Sequence, residues 1–190
     1  SIRGLEEIGY ITNENVFQLQ NLPEKLIIIG NKPSAIEFAQ AFASLGSKVT
    51  VVVRGYSILP HEDPELIAKL KDSLIQEGIE VYLNTTGTQA YTQKQKKILE
   101  CRHASGELFA LPADEILVAI GRKPNLAGLD LTKTRVELND KGQVKVDKFQ
   151  NTTQTVVYAM GDIIGKLELT PVAIAAGRRL SERLFNGKTD

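Results

Sequence analysis

The sequence predicts an α/β fold: a parallel sheet wound with helices, followed by an antiparallel meander. Three observations carry this expectation. Apolar runs at 26–29 and 116–120 and a β-branched run at 49–53, with Thr50 its one polar residue, recur along the chain, and runs without polar alternation fit strands covered on both faces. Helix-period segments follow the first two runs. Between them and the third lies a polar, turn-broken stretch, 89–111, that suits antiparallel strands.

The elements can be justified in order. Leu26, Ile27, Ile28 and Ile29 form an apolar run stopped by Gly30. Residues 34–45 then place Ala35, Phe38, Phe42 and Leu45 on one helical face, with Ala39 beside them and Gly46 as the stop. A second strand at 49–53 ends at Arg54-Gly55, completing a strand–helix–strand unit of about 30 residues, the length of a right-handed crossover. Asp63 is a candidate cap for a helix over 64–77, with Pro64 at its first position, Gly78 beyond its end and Leu66, Ile67, Leu70, Leu74 and Ile75 as its apolar stripe. A short strand at 79–83 follows. The tract 93–97 reads as a solvated hairpin tip rather than a basic patch, and Ser105-Gly106 as a second turn. After the strand at 116–120 come Gly121 and Arg122. The texture then becomes turn-rich, with short strands expected around Val136, at 144–146 and at 156–159, before an amphipathic helix over 171–185.

Composition narrows the partners. Lysine plus arginine equals aspartate plus glutamate at 23 each, so no nucleic-acid groove or anionic membrane surface is expected. No run approaches the ~18 apolar residues of a membrane span. The first ten residues carry Arg3, Glu6 and Glu7 and no apolar signal core. One cysteine, Cys101, fits a reducing compartment and inert packing; cytoplasm is the expected location. His61 and His103 are too isolated to form a metal site. The opening at Ser1 and the stop at Asp190 read as the ends of an excised fragment.

Four places carry chemistry. The turn Gly30-Asn31-Lys32-Pro33-Ser34-Ala35 resembles a Gly-x-Gly-x-x-Gly/Ala fingerprint, which seats a pyrophosphate on a helix N-terminus. Gly30 and Ala35 match it, Lys32 replaces the middle glycine and Pro33 removes an N–H. Taken alone, the turn fits a working cradle or a vestige of one. Arg54 closes the second strand where an acid would bind the NAD ribose and an arginine accommodates the NADP 2′-phosphate; a solvated loop arginine is the plainer reading. Gly121-Arg122-Lys123-Pro124-Asn125 fits a ligand-facing strand end or an ordinary turn. Ala159-Met160-Gly161-Asp162 offers a carboxylate to a hydroxyl chain, and Thr170 is a candidate cap ahead of Pro171; a capped helix after a strand is commonly structural.

These sites, in this order, resemble the class I pyridine nucleotide–disulfide oxidoreductases, which include glutathione reductase, dihydrolipoamide dehydrogenase and mercuric reductase. The likeness is most specific over Val146-Asp147-Lys148-Phe149-Gln150-Asn151-Thr152, Val157-Tyr158-Ala159-Met160-Gly161-Asp162 and the stretch Leu169 through Arg178, which looks most like bacterial glutathione reductase. The resemblance implies a Rossmann-like NAD(P)-binding domain over 1–123 and a later segment of an FAD-binding domain over 124–190. It implies that Gly30, Lys32, Ala35, Glu37, Arg54, Gly121 and Arg122 adjoin NADP (or NAD), with Glu37 at the nicotinamide carboxamide and Arg54 at the 2′-phosphate. Asp162 would bond the ribityl chain of FAD, with Leu169 and Thr170 beside the isoalloxazine. The parent enzyme, a homodimer, would pass hydride from NADPH to FAD and electrons on to a disulfide-type acceptor.

Three departures stand against this pattern. Lys32 replaces a glycine, Pro33 replaces the tyrosine that lids the nicotinamide pocket in glutathione reductase, and Pro60 stands where a second 2′-phosphate arginine is usual. The redox-active Cys-x4-Cys pair, the N-terminal flavin unit and the C-terminal interface domain with its histidine are not in the sequence, so the chain itself is expected to be inactive and to hold FAD poorly. The rival reading is a degenerate scaffold module that no longer binds NAD(P)H; an NADH oxidase or peroxidase of the same broad fold is less favoured by the stretch Leu169 through Arg178.

Overall fold

The computed structural model describes residues 2–188 and divides into two compact units, Ser1–Gly121 and Arg122–Asp190. The sequence predicts an end to the first domain at Lys123 and a change of texture after Pro124. Among the described residues no helix is long and apolar enough to cross a membrane.

The first unit is built on four parallel strands: β1 (Lys25–Ile29), β2 (Lys48–Val52), β3 (Glu80–Tyr82) and β7 (Glu115–Val118), in the order β3-β2-β1-β7. β1 lies between β2 and β7, with Ile27 opposite both Thr50 and Ile116. Because successive side chains point to opposite faces, the apolar run of β1 serves two cores at once. Leu26 and Ile28 pack with Val49, Val51 and Leu117 against Ala35, Ile36, Ala39 and Phe42 of α2 (Pro33–Ser44) and Ile67 and Leu74 of α3 (Pro64–Gln76). Ile27 and Ile29, with Val52 and Ile116, pack against Ala90, Leu99, Cys101 and Ala113 of the meander. This double burial explains why the strand carries no polar residue after Lys25.

The meander comprises β4 (Thr85–Gln93), β5 (Lys96–His103) and β6 (Leu108–Ala113), paired antiparallel in that order. Its first turn is Lys94-Gln95, both residues at positive φ (47° and 63°), as a two-residue hairpin turn matched to strand twist requires. A short helix, α1 (Leu5–Ile8), buries Leu5 beneath the meander. Asp63 caps α3 by accepting from the Glu65 and Leu66 N–H groups.

The second unit is mostly irregular and is organised by α4 (Thr170–Phe185). The guanidinium of Arg183 donates to the Phe149 carbonyl at 2.7 Å and to Asn151 Oδ1 at 3.1 Å, while lying over the Phe149 and Tyr158 rings. Asp147 ties the same turn through the Phe149 and Asn151 N–H groups. Hydrogen bonding from the Asn151 side chain is the main influence holding its carboxyl below the usual range.

Several sequence expectations need correction. Leu45 at the end of α2, and Leu66 and Ile75 on α3, are exposed rather than part of buried stripes. The third apolar run ends as a strand at Val118, leaving Ile120 exposed. Residues 156–159 form no strand: Val156 takes φ 58°, which breaks an extended run, and only an Asn151–Tyr158 bridge remains. Around Val136 and 144–146 only the bridge Leu138–Val144 forms. Leu169, not Thr170, occupies the cap position of α4, and no side chain caps that helix.

Candidate functional site

The carboxyl ends of β1, β2 and β7 gather the first unit's candidate residues. Ile29 is registered on Val52 and on Val118, so the chain leaves three adjacent strands side by side: into Gly30, into Arg54 and into Gly121. Gly30 donates to the Val52 carbonyl at 3.1 Å. A Cβ on Gly30 would land on the Ala119 carbonyl oxygen, 2.8 Å from its carbon and 3.3 Å from Ala35 Cβ. The first fingerprint position is therefore glycine because the backbone passes against the end of β7. Ala35 is fully buried in the helix–sheet core, so its small size sets how closely α2 seats on the sheet.

Between them the turn stays open. Lys32 is the cap residue of α2, with extended backbone (φ −91°, ψ 166°) and no side-chain cap bond. Its carbonyl accepts from the Ala35 and Ile36 N–H groups. Pro33 has no N–H, and the N–H groups of Asn31, Lys32 and Ser34 have no acceptor among the described residues. Lys32, Pro33, Glu37, Arg54 and Gly121 are all exposed. Unpartnered N–H donors at a helix start, on an exposed turn that carries a lysine, suit an anion.

Sequence reading missed one positioning contact. The Leu59 N–H donates to the Asn31 carbonyl at 2.9 Å, fastening the loop that begins at Arg54 to the Gly30–Ala35 turn. The acceptor is a backbone carbonyl, so no side-chain identity announces it; the only local signal is the positive φ of Leu59 (43°). Two recesses, of about 410 and 460 Å³, open elsewhere in this unit, one lined by Lys25, Lys48, Gly78 and Pro112 and the other by Leu22, Pro23, Asp114 and Glu115. Neither is lined by a candidate residue. The candidate residues lie instead at the strand ends, beside the unpartnered N–H groups of the turn.

In the second unit, Asp162 lies in the short turn Gly161–Ile164. α4 reaches this region closely through small residues: a Cβ on Gly177 would sit 3.2 Å from Met160 Sδ, and one on Gly161 would sit 3.4 Å from Ala173 Cβ. The Asp162 carboxylate is half exposed and faces Arg122 at 3.4 Å, a surface pair of little energetic weight that leaves acceptor capacity free. Leu169 and Thr170, at the start of α4, are exposed.

Cys101 is buried, and burial pushes its thiol up to about 11, so it is not a thiolate near neutral pH. Among the described residues no group of three or more His, Cys, Asp or Glu could hold a metal.

Comparison with known proteins follows this geometry. Residues 2–177 match the family described as pyridine nucleotide-disulphide oxidoreductase. The chain is 38% identical over 186 residues to a glutathione reductase of Debaryomyces hansenii, covering 95% of this chain and 36% of that protein. It is 37% identical over 180 residues to one of Schizosaccharomyces pombe, covering 95% and 38%. The solved structure of the HOCl-induced flavoprotein disulfide reductase RclA from Escherichia coli superimposes with a TM-score of 0.90 at 28% identity, over all of this chain and 42% of that one. The chain thus spans well under half the length of these relatives. Matched along nearly all of its own length, it belongs to the pyridine nucleotide–disulfide oxidoreductases and is similar in sequence to the glutathione reductases.

Proposed function

We propose that this chain binds NADPH across the strand ends of its first unit and contributes to FAD binding through its second. It would do so as part of a homodimeric enzyme that passes reducing equivalents to a disulfide-type acceptor. The observation that carries the reading is the tight Gly30–Ala119–Ala35 packing beside an open, donor-bearing turn, in a chain matched to this family over residues 2–177. The names of the relatives, glutathione reductase and flavoprotein disulfide reductase, support the acceptor class.

Each residue has a physical task under this reading. The free N–H groups of Asn31, Lys32 and Ser34 receive the pyrophosphate, and Arg54 pairs with the 2′-phosphate, a match for its planar fork of donors. Glu37, one turn into α2, holds the carboxamide; Gly121 lies along the coenzyme. Asp162 accepts from the ribityl hydroxyls, with Leu169 and Thr170 at the helix start beside the ring system. Nicotinamide and flavin supply the hydride chemistry, and the protein supplies position and electrostatics.

Calorimetric titration with NADPH and NADH tests this. Arg54→Ala is expected to weaken NADPH by about tenfold or more, the scale of a charge-assisted phosphate contact, and to leave NADH unchanged. Pro60 offers no second cation, so this one substitution removes most of the coenzyme preference. No heat with either coenzyme would leave the scaffold reading instead.

A further inference from the structure

We infer that Lys32 is a phosphate ligand, its ammonium supplying at the coenzyme pyrophosphate the stabilisation that close backbone approach supplies in the glycine fingerprint. This rests on the nucleotide-binding reading and assigns one residue's part in it.

At φ −91° and ψ 166°, position 32 has a conformation open to any residue, so nothing in the turn demands glycine there and lysine sits without strain. What glycine offers the family is access: no Cβ between backbone and phosphate. Lysine forgoes that access, and Pro33 removes one donor besides. Three N–H groups remain around the turn, at Asn31, Lys32 and Ser34.

Against this loss stands a positive charge on a flexible four-carbon stem. The Lys32 side chain is exposed and makes no ion pair or hydrogen bond among the described residues. It can swing aside to admit a phosphate and then close on it without breaking an existing contact. A branched or aromatic residue at the same place would only obstruct. The pyrophosphate is common to NADPH and NADH, so Lys32 serves both coenzymes, whereas Arg54 serves the 2′-phosphate alone.

Titrations of the 190-residue chain with NADPH and NADH test the assignment, with melting temperature as the folding control. Lys32→Gln keeps most of the stem and removes the charge. It is expected to weaken both coenzymes by a similar factor, about three- to tenfold at low salt, shrinking toward unity near 1 M salt as the screening length falls to about 3 Å. Lys32→Arg is expected to retain most of the affinity. Lys32→Gly restores the family residue and decides the sign: weaker binding supports a ligand role, while equal or tighter binding shows that the lysine merely obstructs and overturns the inference. A loss confined to NADPH would also overturn it, because the contact would then be to the 2′-phosphate. If neither coenzyme binds the unaltered chain or any variant, the nucleotide reading fails as a whole; if wild type binds and Lys32→Gln binds equally, only this inference fails.

Discussion

A Cβ placed on Gly30 would land on the Ala119 carbonyl, whereas one placed on Gly121 would meet no atom within 4 Å. The two glycines therefore answer different demands. At Gly30 the clash is with backbone, which cannot rotate away. Gly30→Ala is expected to cost about 2–3 kcal/mol, seen as a melting temperature lower by roughly 5–10 °C. Gly121→Val meets open space, so its stability should stay within about 0.5 kcal/mol of wild type. If Gly121 adjoins the coenzyme, however, the valine should weaken NADPH binding. A comparable fall in melting temperature at both positions would remove the distinction. Residue identity revealed that Gly30 begins a fingerprint. It could not reveal that the neighbour demanding glycine is Ala119, some ninety positions away and brought alongside only by the β1–β7 pairing.

Between elements, Asp114 joins the meander to the parallel sheet at two points. Its N–H donates to the Lys25 carbonyl at 2.9 Å, and its carboxylate accepts from the Lys25 N–H at 2.8 Å. The other carboxylate oxygen pairs with Lys96 of β5. That hydrogen bond with Lys96 is the main influence holding the Asp114 carboxyl below its ordinary value, and it raises Lys96 in turn. A carboxyl depressed on folding stabilises the native state at pH above its unfolded value, and the contribution disappears as pH falls through the folded value. The raised lysine is the mirror case: its share is complete below the ordinary lysine range and is lost as pH rises through the higher folded value. Asp114→Ala should therefore cost about 1–2 kcal/mol between roughly pH 5 and 9. The gap between variant and wild type should narrow in acid, as urea melts at pH 7 and pH 2.5 would show; an unchanged gap would mean the charge contributes nothing. The same scale shows what periodicity can locate. Runs such as 26–29 declare themselves because both faces are covered, and the cap at Asp63 is announced by Pro64. Leu45, Leu66 and Ile75 mislead because a helix lying on a sheet buries a narrower stripe than its apolar residues draw. Val156 misleads because its β-branched side chain signals extended backbone at a place where the chain must turn.

Across the whole molecule, apolar burial is unevenly shared. The first unit closes two cores on the two faces of one sheet. Among the described residues of the second unit only Val144, Ala159 and Leu180 are buried apolar residues, while Val156, Leu167, Leu169, Ile174 and Phe185 are half or more exposed. At about 25 cal/mol per Å² of apolar surface removed from water, the second unit gains little against the entropy of ordering its loops, and much of what holds it is polar: the Arg183 clamp and the Asp147 turn. Regions with few buried apolar contacts open at lower free energy than the global transition. Native-state hydrogen exchange is therefore expected to find the amides of β1, β2 and β7 slowest and those of α4 exchanging well before them. Limited trypsin should cut at Arg178 or Arg179 before any site within residues 25–118. If NADPH binds the first unit as proposed, saturating NADPH should set the stabilities of the two units further apart, because a ligand binding one native unit stabilises it by about 2.7 kcal/mol at a hundred times its Kd. The coenzyme should slow exchange in the strands around Gly30 and leave α4 almost unchanged. Protection of α4 equal to that of β1, with or without NADPH, would mean that the polar clamp alone supplies what a buried core supplies elsewhere in the chain.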